Sequence, residues 1–374
     1  ARCATPTVSE QTPVGSLTPE MGTGVPRIDR ITIWAIDLPL RRPFTSATVA
    51  VASRRLGIVR IEAAGLAGWG EAAPVPGHTE DFAVTWAELS RAINDPIAGV
   101  TSIQPGLARA ACEQALTDLA ARREGRPLWE YLGASQPVHA SAAIGIDANH
   151  QPDGEAIAVA VAGGYRHMKL KIDAATDLAE LRRTLIDYPG ISFGADANES
   201  LADCDRRQLR AIDRLGLAFL EQPGRATDLD WHRTLRAEID TPLALDESAA
   251  SAEGIHSLSA TGAADIVTLK AGRFGTATTL RLAEEAIAHG LRARLGGLLE
   301  SGIGRAHSVA LAGRREFSVV GDIGASDLYF IDDLVDPPWQ MNNGLLEQPT
   351  TPGIGVEIDE ALLARHAFDS LSAE

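Results

Sequence analysis

From Val138 onwards, short apolar runs alternate with amphipathic stretches, and several of the runs end on a charged residue. The runs are Ser141–Ile146, Met168–Ile172, Ser192–Ala197, Ala218–Glu221, Pro242–Asp246, Ile266–Lys270, Ala293–Leu299 and Phe317–Val320. Helical patterns such as Asp177–Asp187, Cys204–Leu215 and Thr276–His289 fill the seven gaps. Runs this short and this apolar suit strands buried on both faces, and alternation with helices implies parallel pairing through crossovers. Eight such units predict an α/β fold, a (β/α)8-type barrel rather than an open sheet. No glycine-rich dinucleotide fingerprint follows a strand and no P-loop is present, so nucleotide-fold readings lose their main support.

The charged ends of the runs carry the chemistry. Lys169 and Lys171 are two apart, so both point to one side of the second strand. Asp196, Glu221, Asp246 and Lys270 close the third to sixth strands, and from Lys171 the spacing runs 25, 25, 25 and 24 residues. One βα unit per charged residue places them around a single barrel mouth, where active sites of this fold sit. A lone acid at a strand end is usually a helix cap or a solvated group, and a lone lysine a surface one. Five consecutive strands in register argue against that reading. Three converging carboxylates repel one another unless a cation neutralises them, and an oxygen-only set suits Mg²⁺, with Mn²⁺ as substitute. Such an ion stabilises the charge that develops when a proton leaves the carbon next to a substrate carboxylate. Lysines on strands two and six would face each other across that substrate as base candidates. A Schiff-base aldolase uses a barrel lysine but leaves three evenly spaced acids unexplained. A non-catalytic metabolite-binding barrel does not require every one of these positions.

Ahead of the barrel, Ile31–Leu38, Leu56–Ala63 and the Gly68-Trp69-Gly70-Glu71 stretch read as an antiparallel meander, followed by helical patterns at Phe82–Ile93 and Pro105–Arg123. The expected organisation is a leader over 1–27, an α+β capping domain over 28–137, the barrel over 138–336 and a returning segment over 337–374. The leader is rich in Thr, Pro, Ser and Gly and reads as disordered, with Met21 a candidate natural start. A chain of 374 residues is long for one domain and suits two. Its net charge of −16 makes nucleic acid or an anionic membrane a poor partner. No run of about 18 apolar residues suggests a membrane span. Cys3, Cys112 and Cys204 form no pair pattern, which favours a reducing cytoplasm. The expected partner is a small carboxylate substrate, with homo-oligomerisation left open.

These residues resemble the enolase superfamily, in its muconate-lactonizing subgroup. The resemblance spans nearly the whole chain after the leader. It includes Ala115-Leu116-Thr117-Asp118-Leu119, Gly125-Arg126-Pro127-Leu128, Lys169-Leu170-Lys171, Asp196-Ala197-Asn198, Glu221-Gln222-Pro223, Asp246-Glu247-Ser248 and Lys270. It implies that Asp196, Glu221 and Asp246 bind Mg²⁺, that Lys171 and Lys270 form the acid/base pair, and that Lys169 assists electrostatically. Mandelate racemase-like members carry a histidine on the seventh strand; Ala293–Glu300 has none. The flanks Lys270–Gly275, Gly296–Arg305 and Ser326–Phe330 are similar to the o-succinylbenzoate synthases of menaquinone biosynthesis and the N-succinylamino acid racemases. Muconate cycloisomerases usually carry an Asn-Gly pair after the sixth-strand lysine, and dipeptide epimerases an Asp-x-Asp on the last strand. This chain has neither, although both remain alternatives. Phe44, Ser46 and His78 fall on loops that close over the mouth in this family, and Asn198, Arg273 and Glu300 are further candidate substrate contacts. For His78 a solvated loop histidine is the commoner case, Arg273 is at least as well explained as a solvated loop residue, and Glu300 can also be read as an acceptor for nearby backbone.

Overall fold

The computed structural model describes residues 27–47, 49–93 and 103–374. The expected leader lies outside them apart from Arg27, as do Met21 and Cys3. Three long strands, β1 (Arg30–Thr45), β2 (Ala50–Ala63) and β3 (Leu66–Ala72), form the antiparallel meander. Alternation along β1 sends Ile31, Ile33 and Ala35 inward, and past an irregularity at Ala35–Ile36 it is Ile36 and Leu38 that are buried; helices Phe82–Ala92 and Leu107–Arg123 pack on the sheet. Gly68 and Gly70 let β3 approach the second helix at backbone distance. A Cβ on Gly70 would lie 2.0 Å from the Ala111 carbonyl oxygen, and one on Gly68 2.1 Å from that of Ala115. Backbone cannot yield as a side chain does, so Gly70→Ala is expected to destabilise by about 3 kcal/mol, the upper end of overpacking costs. The denaturation midpoint checks this; an unchanged midpoint would show that helix and strand can part.

Seven short parallel strands follow in spatial and chain order: β4 (Ser141–Ile144), β5 (His167–Lys171), β6 (Ser192–Asp196), β7 (Leu220–Glu221), β8 (Leu243–Leu245), β9 (Ile266–Leu269) and β10 (Arg292–Leu295). The crossover helices are Gly154–Ala162, Leu178–Asp187, Arg206–Asp213, Leu229–Arg236, Ala252–Thr261 and Thr276–Ala288, and Gly302–Ala312 follows β10. Asp153, Asp177, Asp205, Asp228, Ser251 and Ser301 cap helix starts by accepting backbone N–H groups.

The eighth expected strand, Phe317–Val320, is a correction: it is irregular backbone. It nevertheless bridges the barrel's two edges. The Val319 and Asp322 amides donate to the Ala293 and Leu295 carbonyls of β10, and the Ser141 amide of β4 donates to Ile323. These bonds satisfy edge groups that would otherwise stay unpaired. The segment after Pro337 is only partly turns. Leu345–Leu346 pairs with Val138–His139, and a last strand, β11 (Ala367–Ala373), lies antiparallel along β1. The first sheet therefore runs β11-β1-β2-β3. No helix among the described residues is long and apolar enough to cross a membrane.

Two carboxylates, Glu71 buried and Glu113 half-buried, fasten the first layer to the barrel. Glu71 of β3 accepts from the Ser301 amide (2.9 Å), the Ser301 hydroxyl (2.5 Å) and the Gly304 amide (2.9 Å), at the start of helix Gly302–Ala312. Glu113 accepts from the amides of Thr276 and Ala277, at the start of helix Thr276–Ala288. Each occupies the positive end of a helix built elsewhere in the chain. Burial pushes the Glu113 carboxyl up to about 7, against the Ala277 and Thr276 amides. A raised folded-state value means the stability it contributes is complete below its ordinary 4.5 and is lost as pH rises through about 7. Wild-type stability relative to Glu113→Gln is thus expected to fall by on the order of 3 kcal/mol between pH 4.5 and 7.5. Parallel denaturant titrations measure it, and a flat difference would show that Glu113 does not titrate in that window.

Candidate active site

The side chains of Lys169, Lys171, Asp196, Glu221, Asp246 and Lys270 are all buried at the carboxyl ends of β5 to β9. Asp246 and Lys270 precede short helical turns, but neither side chain makes a capping hydrogen bond. Lys171 Nζ donates to Asp196 Oδ2 and to Asn198 Oδ1, each at 2.7 Å. Lys169 Nζ lies 3.0 Å from Asp196 Oδ2, 3.0 Å from Glu221 Oε1 and 2.5 Å from Asp322 Oδ2. Lys270 Nζ is 2.5 Å from Asp246 Oδ2, and Arg273 Nη1 is 3.3 Å from Asp246 Oδ1. Burial disfavours the charged form of Asp196, but Lys169 and Lys171 hold its carboxyl well below the usual range. Lys270 and Arg273 do the same for Asp246. Burial also works against Lys169, yet Asp196, Asp322 and Glu221 carry its ammonium well above its ordinary value. For Glu221 burial wins: its carboxyl is pushed up to about 7 despite Lys169 and Arg294.

As the side chains stand, no three acidic, histidine or cysteine groups among the described residues converge as a ready-made metal shell. The Lys169 ammonium bridges two of the three acids, at the place a cation would take. The donor set fits a hard divalent ion. It is all oxygen, it is buried, and at Glu221 the cations present do not offset burial. Occupation requires the Lys169 ammonium to withdraw.

Lys169, Lys171, Asp196, Asp246 and Lys270 wall a cavity of about 730 Å³, its mouth included, shared by the barrel and the first layer. Phe44, Ser46 and His78 line it from loops of the first layer, and Asn198 and Glu300 from the barrel. Glu221 lies outside this wall, and Arg273 turns to Asp246 instead of the cavity. His78 faces Glu247 Oε1 at 3.3 Å. Glu300 accepts from the Leu298 amide (2.6 Å) and the Ser308 hydroxyl (3.1 Å). Backbone strain collects here. Asn198, Gln222 and Leu299 take left-handed φ values of 41°, 38° and 53° at the ends of β6, β7 and the β10 loop. Gln222 locks two strand ends together, accepting from the amides of Asp246 and Ser248.

Five participants were not singled out from the sequence. Asp322, Arg305 and Tyr329 line the cavity, Glu247 receives Asn198 Nδ2 at 2.9 Å, and Arg54 of β2 donates to the carbonyls of Pro74 and Leu298. The buried Arg294 lies below the wall. Arg294 alternates with Leu295 on β10 and shares the inward face on which other strands carry lysines and acids. That period was the available signal. Asp322 and Glu247 come from segments with no strand register, where spacing says nothing.

Residues 30–133 match the model of the mandelate racemase / muconate lactonizing enzyme N-terminal domain, and residues 153–362 that of the enolase C-terminal domain-like family. Among similar proteins, the o-succinylbenzoate synthase of Geobacillus kaustophilus is 31% identical, over 91% of this chain and 96% of its own length. The N-succinylamino acid racemase of Thermus thermophilus is also 31% identical, over 89% and 95%. An enolase-superfamily member from Listeria innocua superposes with a TM-score of 0.82 at 29% identity, over 92% of this chain and 98% of that one. Both halves of the family are thus matched in order on one chain, with a strand-end set of acids and lysines around one cavity, and the protein is an enzyme of the enolase superfamily, of the mandelate racemase / muconate lactonizing type.

Proposed function

We propose that this enzyme removes a proton α to a carboxylate and acts as an o-succinylbenzoate synthase, the dehydration step in menaquinone biosynthesis. The observation that carries the reading is the pair Lys171 and Lys270, which reach one cavity from strands β5 and β9, each beside an acid of the proposed metal set. Asp196, Glu221 and Asp246 would hold Mg²⁺, or Mn²⁺ in its place, which supplies charge that stabilises the deprotonated carboxylate. Lys171 takes the α-proton, held in line by Asp196 and Asn198. Lys270 supports the developing charge from the other side. The β-hydroxyl leaves as hydroxide and receives the proton from Lys171, so one water departs and the ring becomes aromatic. The relatives named o-succinylbenzoate synthase point the same way.

A second reading, N-succinylamino acid racemisation, is favoured by the two lysines themselves, since inversion needs a base on each face. It uses the same site as far as proton removal. Incubation with the cyclohexadiene precursor and Mg²⁺ tests the first reading; turnover no faster than without enzyme would refute it. In D₂O, deuterium entering both enantiomers of an N-succinylamino acid supports the second, and its absence rejects it.

A further inference from the structure

Arg294 has no part in the proton transfers, yet it is buried and held on every side of its guanidinium. It is 1% exposed. Its Nη1 lies 2.5 Å from Glu221 Oε2, its Nη2 binds Asp322 Oδ1, and its Nε donates to the Val320 carbonyl at 3.3 Å. Its guanidinium carbon lies 4.5 Å from the centre of the Phe219 ring. Glu221 therefore has both oxygens engaged, Oε1 by Lys169 and Oε2 by Arg294.

The two engagements differ in kind. Lys169 lines the cavity at the end of a flexible stem, so an arriving ion can displace it. Arg294 lies beneath, fixed at three points, and its guanidinium cannot be deprotonated. An ion at the three acids would meet a Glu221 with one oxygen withheld and a permanent positive charge behind it, both of which weaken its hold. We infer that Arg294 is a positioning residue and built-in counter-cation that keeps Glu221 to a single free oxygen and so limits how tightly the divalent ion is held. The inference rests on the metal reading above. The competing account is that Arg294 only fills the barrel core. An apolar residue of similar length would then be tolerated and leave metal binding alone.

The test is direct Mn²⁺ binding without substrate, by the electron paramagnetic resonance signal of the free ion, with thermal denaturation with and without Mn²⁺. Arg294→Met is expected to bind Mn²⁺ at least tenfold tighter than wild type, with a larger rise in Tm on saturation. Arg294→Lys, which keeps the charge, is expected to stay within about threefold of wild type. If Arg294→Met does not fold, Asp322→Asn serves. It frees Arg294 to lean wholly on Glu221, so Mn²⁺ is expected to bind at least threefold weaker. Unchanged or weaker binding in Arg294→Met, or unchanged binding in Asp322→Asn, overturns the inference and leaves the metal reading standing. Wild type that binds no Mn²⁺ overturns both.

Discussion

Replacing Lys171 by Ala is expected to abolish both dehydration and α-proton exchange. Loss of a general base costs about 10² to 10⁴ in rate, and the side chains around Lys171 offer no substitute. Asp196 and Asn198 hold its ammonium, and Lys169 is tied to three acids that keep it protonated. Lys270→Ala is expected to end racemisation, because one face of the substrate then lacks a base. Dehydration falls by about 10² to 10³, the usual cost of losing a charge stabiliser. The two variants thus separate the readings: equal losses at both lysines accompany racemisation, and a smaller loss at Lys270 accompanies dehydration. Mn²⁺ affinity is expected to survive both changes, since the three acids are untouched. Rates and affinities are measured side by side. Near-normal activity in Lys171→Ala would refute the assignment of the base.

Removing divalent metal is the second large effect. Dialysis against EDTA is expected to lower activity by at least about 10²-fold, because charge stabilisation of that size is lost, with recovery on adding Mg²⁺ or Mn²⁺. Stability should follow. An ion bound only by the folded state and present at about 100 times its dissociation constant adds about 2.7 kcal/mol. The cause lies in Asp196, Glu221 and Asp246, which are buried together, and in Glu221 above all, where the cations present do not offset burial. Full activity in EDTA, or a Tm indifferent to Mg²⁺, would refute the metal reading.

The barrel and its ring of charges were legible because both repeat. Each βα unit returns the chain to the same face, so a 25-residue spacing of Lys171, Asp196, Glu221 and Asp246 is already a spatial statement. The repeat fails where the chain departs from it. Phe317–Val320 is as apolar as a strand, but it runs as irregular backbone towards Gly321 and Asp322. β11 was hidden for another reason. Phe368 and Leu371 are exposed, so no buried stripe marks the strand and only its pairing with β1 defines it. Glu71 and Glu113 look like ordinary acids until the helices they cap, more than 160 positions away, come to meet them. Local sequence says nothing of the carboxylates that Arg273 and His78 face: Arg273 reaches Asp246, and His78, on the cavity wall, faces Glu247.

The pairing of β1 with β11 bears on how the molecule is made. Arg30 and Glu374, 344 positions apart, meet at 2.5 Å where these two strands run side by side. A ribosome releases β1, β2 and β3 early and β11 only after the whole barrel. For all that time β1 offers a row of unsatisfied amides and carbonyls along one side. The nascent meander is therefore open to pairing with neighbouring chains, and the arrival of β11 closes that exposure.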